Sequence, residues 1–175
     1  MEVTMKEYTQ NPAEQAADAP AAVDYDLLGA QLSAFAETDP HYIPLLSNAS
    51  ALLYEALDRV NWAGFYLMRG GRLVLGPFQG KPACIHIAVG KGVCGTAVAR
   101  DSIQRIADVH QFPGHIACDA ASASEIVIPI HKGGSIIGVL DIDSPVADRF
   151  SAADEAGLAD FVRILEHTLE LPKEF

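Results

Sequence analysis

The stretch of sequence that decides the fold covers residues 114–143 and reads GHIACDAASASEIVIPIHKGGSIIGVLDID. Its two apolar segments, residues 125–130 and 135–143, flank a lysine and two glycines, a pattern that predicts a β-hairpin. Ahead of the hairpin, small residues surround Cys118, so little side-chain bulk would block access to its thiol. A carboxylate, Glu125, follows at the start of the first apolar strand.

The register of this hairpin can be chosen from its pattern, because a slip of one residue turns every side chain to the opposite face. Setting Ile126 opposite Leu140 makes one face wholly apolar and leaves a three-residue loop. The other face then carries Glu125 opposite Asp141, with Asp143 on the same face about 7 Å further along the strand. The sequence therefore predicts three carboxylates at one end of one hairpin.

These three carboxylates need a compensating partner. Like charges placed opposite each other on neighbouring strands are destabilising. They persist only if one group stays protonated or if a cation neutralises the cluster. The candidate cations are a metal ion, an arginine or lysine of the chain, and the ammonium group of a substrate. The residues alone leave these three alternatives open.

Aromatic side chains mark a second part of the candidate site, in the predicted strand over residues 61–68. Because side chains alternate along a strand, Trp62, Gly64 and Tyr66 share one face. Two rings that flank a glycine predict a notch with aromatic walls. Ordinary packing in the core gives the same pattern, so both interpretations remain at this point.

The remaining elements follow from helical periodicity, cap residues and glycine turns. Longer helices are expected over residues 23–37, after Pro44, and from Ser151 with Asp154 as its capping partner. Short strands are expected over residues 72–75, ended by Gly76 and Pro77, over residues 84–88, and over residues 103–106. The glycine-rich turn at residues 89–95 opens a short helix, whose free N–H groups favour an anion such as a carboxylate.

Two further segments invite a functional interpretation. The segment over residues 108–124 is long and irregular for a compact domain, and such loops are often functional. The final helix carries an apolar stripe that either packs on its own sheet or forms a dimer face. The stripe consists of Leu158, Phe161, Val162, Leu165 and Leu169.

Length and charge limit the classes of protein and partner. The 175 residues fit one domain over residues 23–175, preceded by a flexible arm over residues 1–22 that is rich in Ala, Pro, Glu and Gln. A net charge of −11 makes nucleic acid and anionic membranes unsuitable partners. No apolar run approaches the ~20 residues that span a bilayer, and the start has no signal-peptide pattern. A cytoplasmic location is therefore expected.

The three cysteines Cys84, Cys94 and Cys118 are an odd number in a chain without a secretion signal, which argues against structural disulfides. Their spacings match no usual zinc pattern, and no metal site is expected. Small buried hydrophobic side chains are one interpretation, which suits Cys84 better than Cys118. A nucleophilic thiolate with thiols that resolve its oxidised form is the interpretation that fits all three.

Five motifs together carry a resemblance to a known family. They are NWAGFY at residues 61–66, LGPFQG at 75–80, GVCGTA at 92–97, HIACDA at 115–120 and GVLDIDS at 138–144. In these motifs the chain resembles the free methionine-(R)-sulfoxide reductases, which are GAF-domain enzymes. The resemblance covers residues 47–169 and includes every cysteine, both aromatic side chains and all three carboxylates.

The resemblance implies an α+β GAF fold. In this fold a central antiparallel sheet of five or six strands has helices packed on one side and a ligand pocket under loops on the other. The resemblance also implies a homodimer and reduction of free L-methionine-(R)-sulfoxide to L-methionine. Thioredoxin or another dithiol would supply the electrons, and no cofactor would be needed. The competing class is a non-catalytic GAF sensor of a small ligand.

The resemblance implies a role for each cysteine. Cys118 would attack the sulfoxide sulfur, so that methionine leaves and a sulfenic acid remains on Cys118. Cys84 would condense with it to a disulfide, which a dithiol reopens. Cys94 would act as a secondary or alternative resolving thiol.

The resemblance also implies roles for the substrate-binding side chains. Trp62 and Tyr66 would hold the S-methyl end of the substrate. Glu125 would be the acid that assists departure of the oxygen. Asp141 and Asp143 would bind the substrate amine or share the proton.

Overall fold

A computed structural model describes residues 22–114 and 120–172 of the chain. Except for Ala22, the N-terminal arm expected over residues 1–22 lies outside the described residues. The described α-helices are α1 (Tyr25–Thr38), α2 (Tyr42–Ala56), α3 (Gly92–Arg100) and α4 (Ala152–Thr168), and a short 3₁₀ helix covers Val109–Gln111. The described strands are β1 (Trp62–Arg69), β2 (Arg72–Gly80), β3 (His86–Ala88), β4 (Gln104–Ile106), β5 (Ser124–Lys132) and β6 (Ser135–Ser144). None of these helices has the length and hydropathy needed to cross a bilayer.

The strands form one six-stranded antiparallel sheet in the order β3-β2-β1-β6-β5-β4. Two hairpins, β1–β2 and β5–β6, meet where β1 pairs with β6, so the centre of the sheet joins the two motifs that carry the candidate site. Helices α1, α2 and α4 share one hydrophobic core with the sheet, whereas α3 packs on the opposite face. The α+β fold is confirmed, with α3 as the one described α-helix on the pocket side.

Alternation along β1 separates the two faces of the sheet as expected. Ala63, Phe65 and Leu67 are buried in the core shared with α1, α2 and α4. Trp62 and Tyr66 are buried on the other face, against α3 and the edge of the sheet. The aromatic side chains therefore lie on the same face as the turn into α3.

The expected register of the β5–β6 hairpin is wrong by two residues. Glu125 does not lie opposite Asp141, nor Ile126 opposite Leu140. The observed pairs include Glu125 with Asp143, Ile126 with Ile142, Val127 with Asp141 and Ile128 with Leu140. Because a shift of two residues keeps every side chain on its own face, the three carboxylates still share one face and one end of the hairpin.

The cause of the shift is a tighter turn than the sequence pattern predicts. Lys132 pairs with Ser135, so the loop has two residues rather than three. Gly133 and Gly134 have φ of 59° and 79°, and positive φ at both positions is what a type I′ hairpin turn requires. The pairing then shifts beside Ile130, which leaves one extra residue of β6 in a bulge.

Strand β2 does not end at Gly76 and Pro77, as the sequence predicts, but continues to Gly80. The pairing of β1 with β2 is irregular between Gly64 and Tyr66, and Gly76 and Pro77 lie in this irregular part. A proline is tolerated at a bulge because no ladder hydrogen bond is required there. The longer strand matters for the site because it brings Phe78 opposite Gly64.

The start of α4 is confirmed. Ser151 and Asp154 form a reciprocal capping box at the N-terminus of this helix. The apolar stripe of α4 is buried against its own sheet and helix α1, and all five stripe residues are at most 2% exposed. The stripe is therefore core, and the interpretation as a dimer face is wrong.

Candidate active site

A pocket opens on the face of the sheet that α3 covers, where the β1–β2 and β5–β6 hairpins meet. Aromatic side chains of β1, the turn into β3, the start of α3 and the acidic end of the β5–β6 hairpin surround it. Its lining consists of Trp62, Tyr66, Lys81, Pro82, Ala83, Ile87, Gly92, Val93, Cys94, Ser122, Glu125, Asp141 and Asp143. The structure thus brings together six of the eight residues that the sequence analysis assigned to the site.

The acidic end of the pocket is buried. Glu125 and Asp141 are 5% and 6% exposed, while Asp143 is half-buried at the rim. Cys94 reaches this end from the first turn of α3, and its Sγ donates to Glu125 Oε1 over 3.9 Å. One ligand atom from each of Cys94, Glu125 and Asp141 lies within 4.8 Å of the others, so these three could also hold a metal ion.

Burial raises the pKa of Cys94, Glu125 and Asp141, and neighbouring carboxylates raise the pKa of Cys94 and Glu125 further. Burial, followed by the charges of Asp141 and Asp143, raises the pKa of Glu125 well above its ordinary value. Burial raises the pKa of Asp141 to about 6, although hydrogen bonds with Cys94 and Glu125 act in the opposite direction. Burial, followed by the charges of Asp141 and Glu125, raises the pKa of the Cys94 thiol. The raised pKa values of Glu125 and Asp141 both favour the protonated carboxyl groups, so the cluster is suited to hold a proton on Glu125.

Replacing Asp141 by asparagine should make the stability of the protein less sensitive to pH. Asp141 ionises near 3.8 when unfolded and near 6 when folded, so the folded state holds more protons and loses stability as the pH rises through this window. Asp141→Asn removes that loss. We expect the unfolding free energy of the variant, relative to the parent protein, to grow by at most about 3 kcal/mol from about pH 4 to pH 7 in urea melts.

The control for this experiment is Asp26→Asn, which removes one aspartate charge at an exposed position of α1. This change lies outside the pocket, so its effect on stability should vary little with pH. A pH-independent difference for Asp141→Asn would contradict the raised pKa of the buried carboxyl group.

The aromatic wall of the pocket is a stack of three rings. The Trp62 ring lies 5.2 Å from that of Phe78 and 5.8 Å from that of Tyr66, with interplanar angles of 14° and 25°. Trp62 Nε1 donates to the carbonyl of Lys81 at 3.1 Å, and the Tyr66 hydroxyl donates to the carbonyl of Cys84 at 2.9 Å. These bonds tie the wall to the segment that precedes β3.

Gly64 makes the close ring packing possible. A Cβ at this position would collide with the side chain of Phe78 and lie 2.8 Å from the Trp62 ring. Gly64→Ala should therefore lower the unfolding free energy by about 1–3 kcal/mol, measured by urea melts. Gly76→Ala in the paired strand is a matched control, because its new Cβ would have Phe65 O as its nearest neighbour, at 3.0 Å. A smaller loss for Gly64→Ala than for Gly76→Ala would contradict this packing.

The three cysteines occupy different surroundings. Cys94 is buried inside the acidic cluster. Cys84 is half-buried in the segment before β3, which begins at His86 rather than at Cys84 as expected. Cys118 lies outside the described residues, as does all of 115–119. The chain after this segment returns to the pocket at Ser122, whose hydroxyl accepts a hydrogen bond from Asn61 Nδ2 at 3.0 Å.

The start of α3 adds an electropositive group of atoms to the pocket. Its N-cap residue, Lys91, makes no side-chain cap hydrogen bond, and Gly92, Val93 and Cys94 of the first turn line the pocket. The N–H groups of a helix N-terminus carry partial positive charge. The pocket thus has an acidic end formed by the hairpin and a helix N-terminus beside it.

Sequence reasoning missed three residues at or next to the site: Phe78, which stacks on Trp62, and the hydrogen-bonded pair Asn61 and Ser122. Phe78 was hidden because Gly76 and Pro77 read as the end of a strand, although they lie in a bulge. Asn61 and Ser122, which join the start of β1 to the segment before β5, have no periodicity that could reveal their pairing. Extending the predicted strand β2 past Pro77 would have included Phe78 among the strand residues.

The fold is that of a GAF domain, and the GAF domain family model matches residues 26–169. The free methionine-R-sulfoxide reductase of Escherichia coli is 57% identical over 145 residues, covering 83% of this chain and 88% of that protein. Two structures of fRMsr from Staphylococcus aureus, each 54% identical, are also similar. The reduced form has a TM-score of 0.83 and covers 87% of this chain and 99% of its own. The complex with substrate has a TM-score of 0.82 and covers 87% and 100%. The chain therefore belongs to the GAF-domain family of free methionine-R-sulfoxide reductases.

Proposed function

We propose that this chain reduces free L-methionine-(R)-sulfoxide to L-methionine through thiol chemistry, without a prosthetic group. The observation that carries the proposal is the pocket itself, with aromatic walls at one end and a buried acidic cluster at the other. Its E. coli relative bears the name of this activity. Free methionine sulfoxide has an apolar S-methyl group, which suits the aromatic walls, and a charged amino group, which suits the acidic cluster.

The acidic cluster suits the ammonium group of a free amino acid. Asp141 Oδ1 is buried and has no hydrogen-bond partner among the described residues. A buried carboxylate oxygen without a hydrogen-bond partner destabilises the folded protein, and a substrate ammonium group supplies both a donor and the opposite charge. We assign Asp141 and Asp143 to the amine, as the resemblance implies.

The remaining groups of the substrate have partners on the same face. The start of α3, at Gly92 and Val93, supplies N–H groups that suit the substrate carboxylate. Trp62 and Tyr66 provide apolar surface for the S-methyl group. Only a free amino acid presents all three groups at once, which is why the proposed substrate is free methionine sulfoxide.

Chemically, the reduction needs a thiolate and an acid. We assign the attack on the sulfoxide sulfur to Cys118, as the resemblance implies. The raised pKa of Glu125 favours its protonated form, so Glu125 can protonate the sulfoxide oxygen as that oxygen leaves the methionine sulfur. The S–O bond of the substrate breaks, the oxygen passes to the Cys118 sulfur and methionine leaves, so that Cys118 becomes a sulfenic acid. Cys84 then condenses with it to give a disulfide and water.

Recycling completes the proposed cycle. Thioredoxin or another dithiol reopens the disulfide by thiol–disulfide exchange and is itself oxidised. We further propose a homodimer and a cytoplasmic location, where a reducing environment keeps free thiols reduced. Cys94 keeps its proposed role as a secondary resolving thiol, although its burial and raised pKa make it a poor first partner.

Recycling should depend on the resolving thiols but the first reduction should not. In Cys84→Ser we expect one equivalent of methionine per enzyme but much slower turnover with thioredoxin, because the sulfenic acid lacks its first partner. Cys94→Ser is the matched control and should cycle nearly as fast as the parent. Steady-state turnover equal to the parent in the Cys84→Ser, Cys94→Ser double variant would show that neither thiol resolves the intermediate.

The decisive test of the function is product formation. The full chain is incubated with methionine-(R)-sulfoxide and dithiothreitol, and free methionine is quantified over time. Multiple turnovers are expected. A GAF sensor would instead bind the compound and leave it unchanged, which equilibrium binding without methionine release would reveal.

A further inference from the structure

The buried cluster contains a combination of atoms that binding an amine does not require. Cys94 contributes a sulfur, and Glu125 and Asp141 each contribute a carboxylate oxygen, with all three atoms within 4.8 Å of one another. The three side chains are 4%, 5% and 6% exposed. They come from α3, β5 and β6, so the packing of three separate elements holds them together.

We propose that this cluster binds a thiophilic divalent cation of the zinc class, with Cys94 Sγ, a Glu125 oxygen and an Asp141 oxygen as ligands. Asp141 lines the pocket, and its Oδ1 is buried without a hydrogen-bond partner in the part of the chain that the structure describes, which makes this oxygen an available ligand. The ion would be an inhibitor rather than a component of the reaction.

The spacing of the ligand atoms suits zinc. Tetrahedral coordination with Zn–S of about 2.3 Å and Zn–O of about 2.0 Å places sulfur and oxygen about 3.5 Å apart. Cys94 Sγ and Glu125 Oε1 are already 3.9 Å apart. The widest separation in the trio, at most 4.8 Å, closes with rotamer adjustments. Three protein ligands leave a fourth position for water from the pocket, as in open zinc sites.

The chemistry of the donors selects the class of ion. Ca²⁺ and Mg²⁺ prefer six or more oxygen ligands and have little affinity for sulfur. Zn²⁺ and Cd²⁺ take a thiolate together with carboxylates. The Cys94 thiol must lose its proton to bind the ion as a thiolate, and the divalent charge relieves the repulsion between the two carboxylates. At least one proton should therefore be released for each ion bound.

Binding of the ion would exclude the amine of the proposed substrate, because both need Asp141. This competition rests on the proposed function, whereas the metal site does not. Free methionine, which has the amine but no sulfoxide to react, is the suitable competitor. If zinc binds and methionine does not weaken it, the proposed position of the amine fails and the metal site stands.

The test uses the full chain carrying Cys84→Ser and Cys118→Ser, so that Cys94 is the sole thiol. Cd²⁺ is titrated in, without dithiol reductants, and the ultraviolet band of thiolate-to-cadmium charge transfer is followed. We expect a saturable band with one Cd²⁺ per chain, which Zn²⁺ abolishes by displacing Cd²⁺. Adding Cys94→Ser should remove the band. A missing band in the chain that keeps Cys94 would overturn the proposal.

Two aspartate variants of the same Cys84→Ser, Cys118→Ser chain distinguish coordination by a specific carboxylate from general attraction of the ion to an acidic pocket. Asp141→Asn should weaken Zn²⁺ binding at least about tenfold, since even residues that only support a ligand contribute that much. Asp143→Asn, the same change two residues along β6, removes an equal charge outside the trio and should have a smaller effect. Equal losses in the two variants would show general attraction to the acidic pocket and overturn the assignment of Asp141 as a ligand. Urea melts of each variant confirm that it is folded.

Discussion

Cys118→Ser is expected to release no methionine from methionine-(R)-sulfoxide, even in a single turnover. A serine hydroxyl is far weaker than a thiolate as a nucleophile and cannot hold the oxygen in a reversible sulfenic form. The measurement is the amount of methionine formed per enzyme in the absence of reductant, after mixing with excess substrate. The parent chain should give about one equivalent, because one sulfenic acid forms per site.

Cys84→Ser is the matched control for this experiment. It makes the same atomic change in the half-buried segment before β3, and it should keep the single turnover. Circular dichroism of both variants checks that the fold is retained. Stoichiometric methionine from Cys118→Ser would show that another group attacks the sulfoxide, and Cys94 would then be the next candidate.

A methionine sulfoxide whose amino and carboxyl groups are both converted to amides should be a very poor substrate. We expect kcat/KM for N-acetyl-methionine-(R)-sulfoxide amide to fall at least about 100-fold below that of the free amino acid, or about 2.7 kcal/mol of lost transition-state stabilisation. The amides that replace the two charges cannot neutralise the buried acidic cluster. The added groups must also leave a pocket that is closed around Cys94, Glu125 and Asp141.

Steady-state kinetics on the two compounds, prepared as the R epimer, give this ratio directly. The S epimer of the free amino acid is a useful companion, because it retains both charges and changes only the placement of the oxygen. Similar kcat/KM values for the free and blocked compounds would contradict the assignment of a free substrate.

The acidic cluster could be predicted from the sequence because it depends on side-chain alternation alone. Glu125, Asp141 and Asp143 share a face in any register that differs by an even number of residues, so the two-residue error left the cluster intact. The error itself came from turn chemistry, since the conformation of Gly133 and Gly134 decides the loop length.

Other features depend on contacts between distant parts of the chain, which pattern reading cannot supply. Cys94 was expected as a secondary or alternative resolving thiol, yet α3 also places its sulfur next to the carboxylates of the β5–β6 hairpin. Nothing in the spacing of residues along α3 indicates which strand this helix will contact. Phe78 was missed for a similar reason, because the bulge that carries the chain past Pro77 depends on pairing with β1.

The apolar stripe on α4 also shows that sequence periodicity does not identify the packing partner of a helix face. Its periodicity predicted an apolar face correctly but could not say what covers it. In the structure α1 and the sheet cover it, and Leu158 and Leu165 are fully buried. Periodicity thus locates a buried face, and the tertiary contacts alone identify its partner.

The central claim is that the buried carboxylates hold the substrate amine, and one thermodynamic cycle tests it most directly. The kcat/KM values of free and N-acetylated methionine-(R)-sulfoxide are measured for the parent and for Asp141→Asn. If Asp141 binds the amine, acetylation should lower kcat/KM by about tenfold more in the parent than in the variant, a coupling of about 1.4 kcal/mol. An identical acetylation penalty in both proteins would show that Asp141 does not contact the amine and would contradict the account.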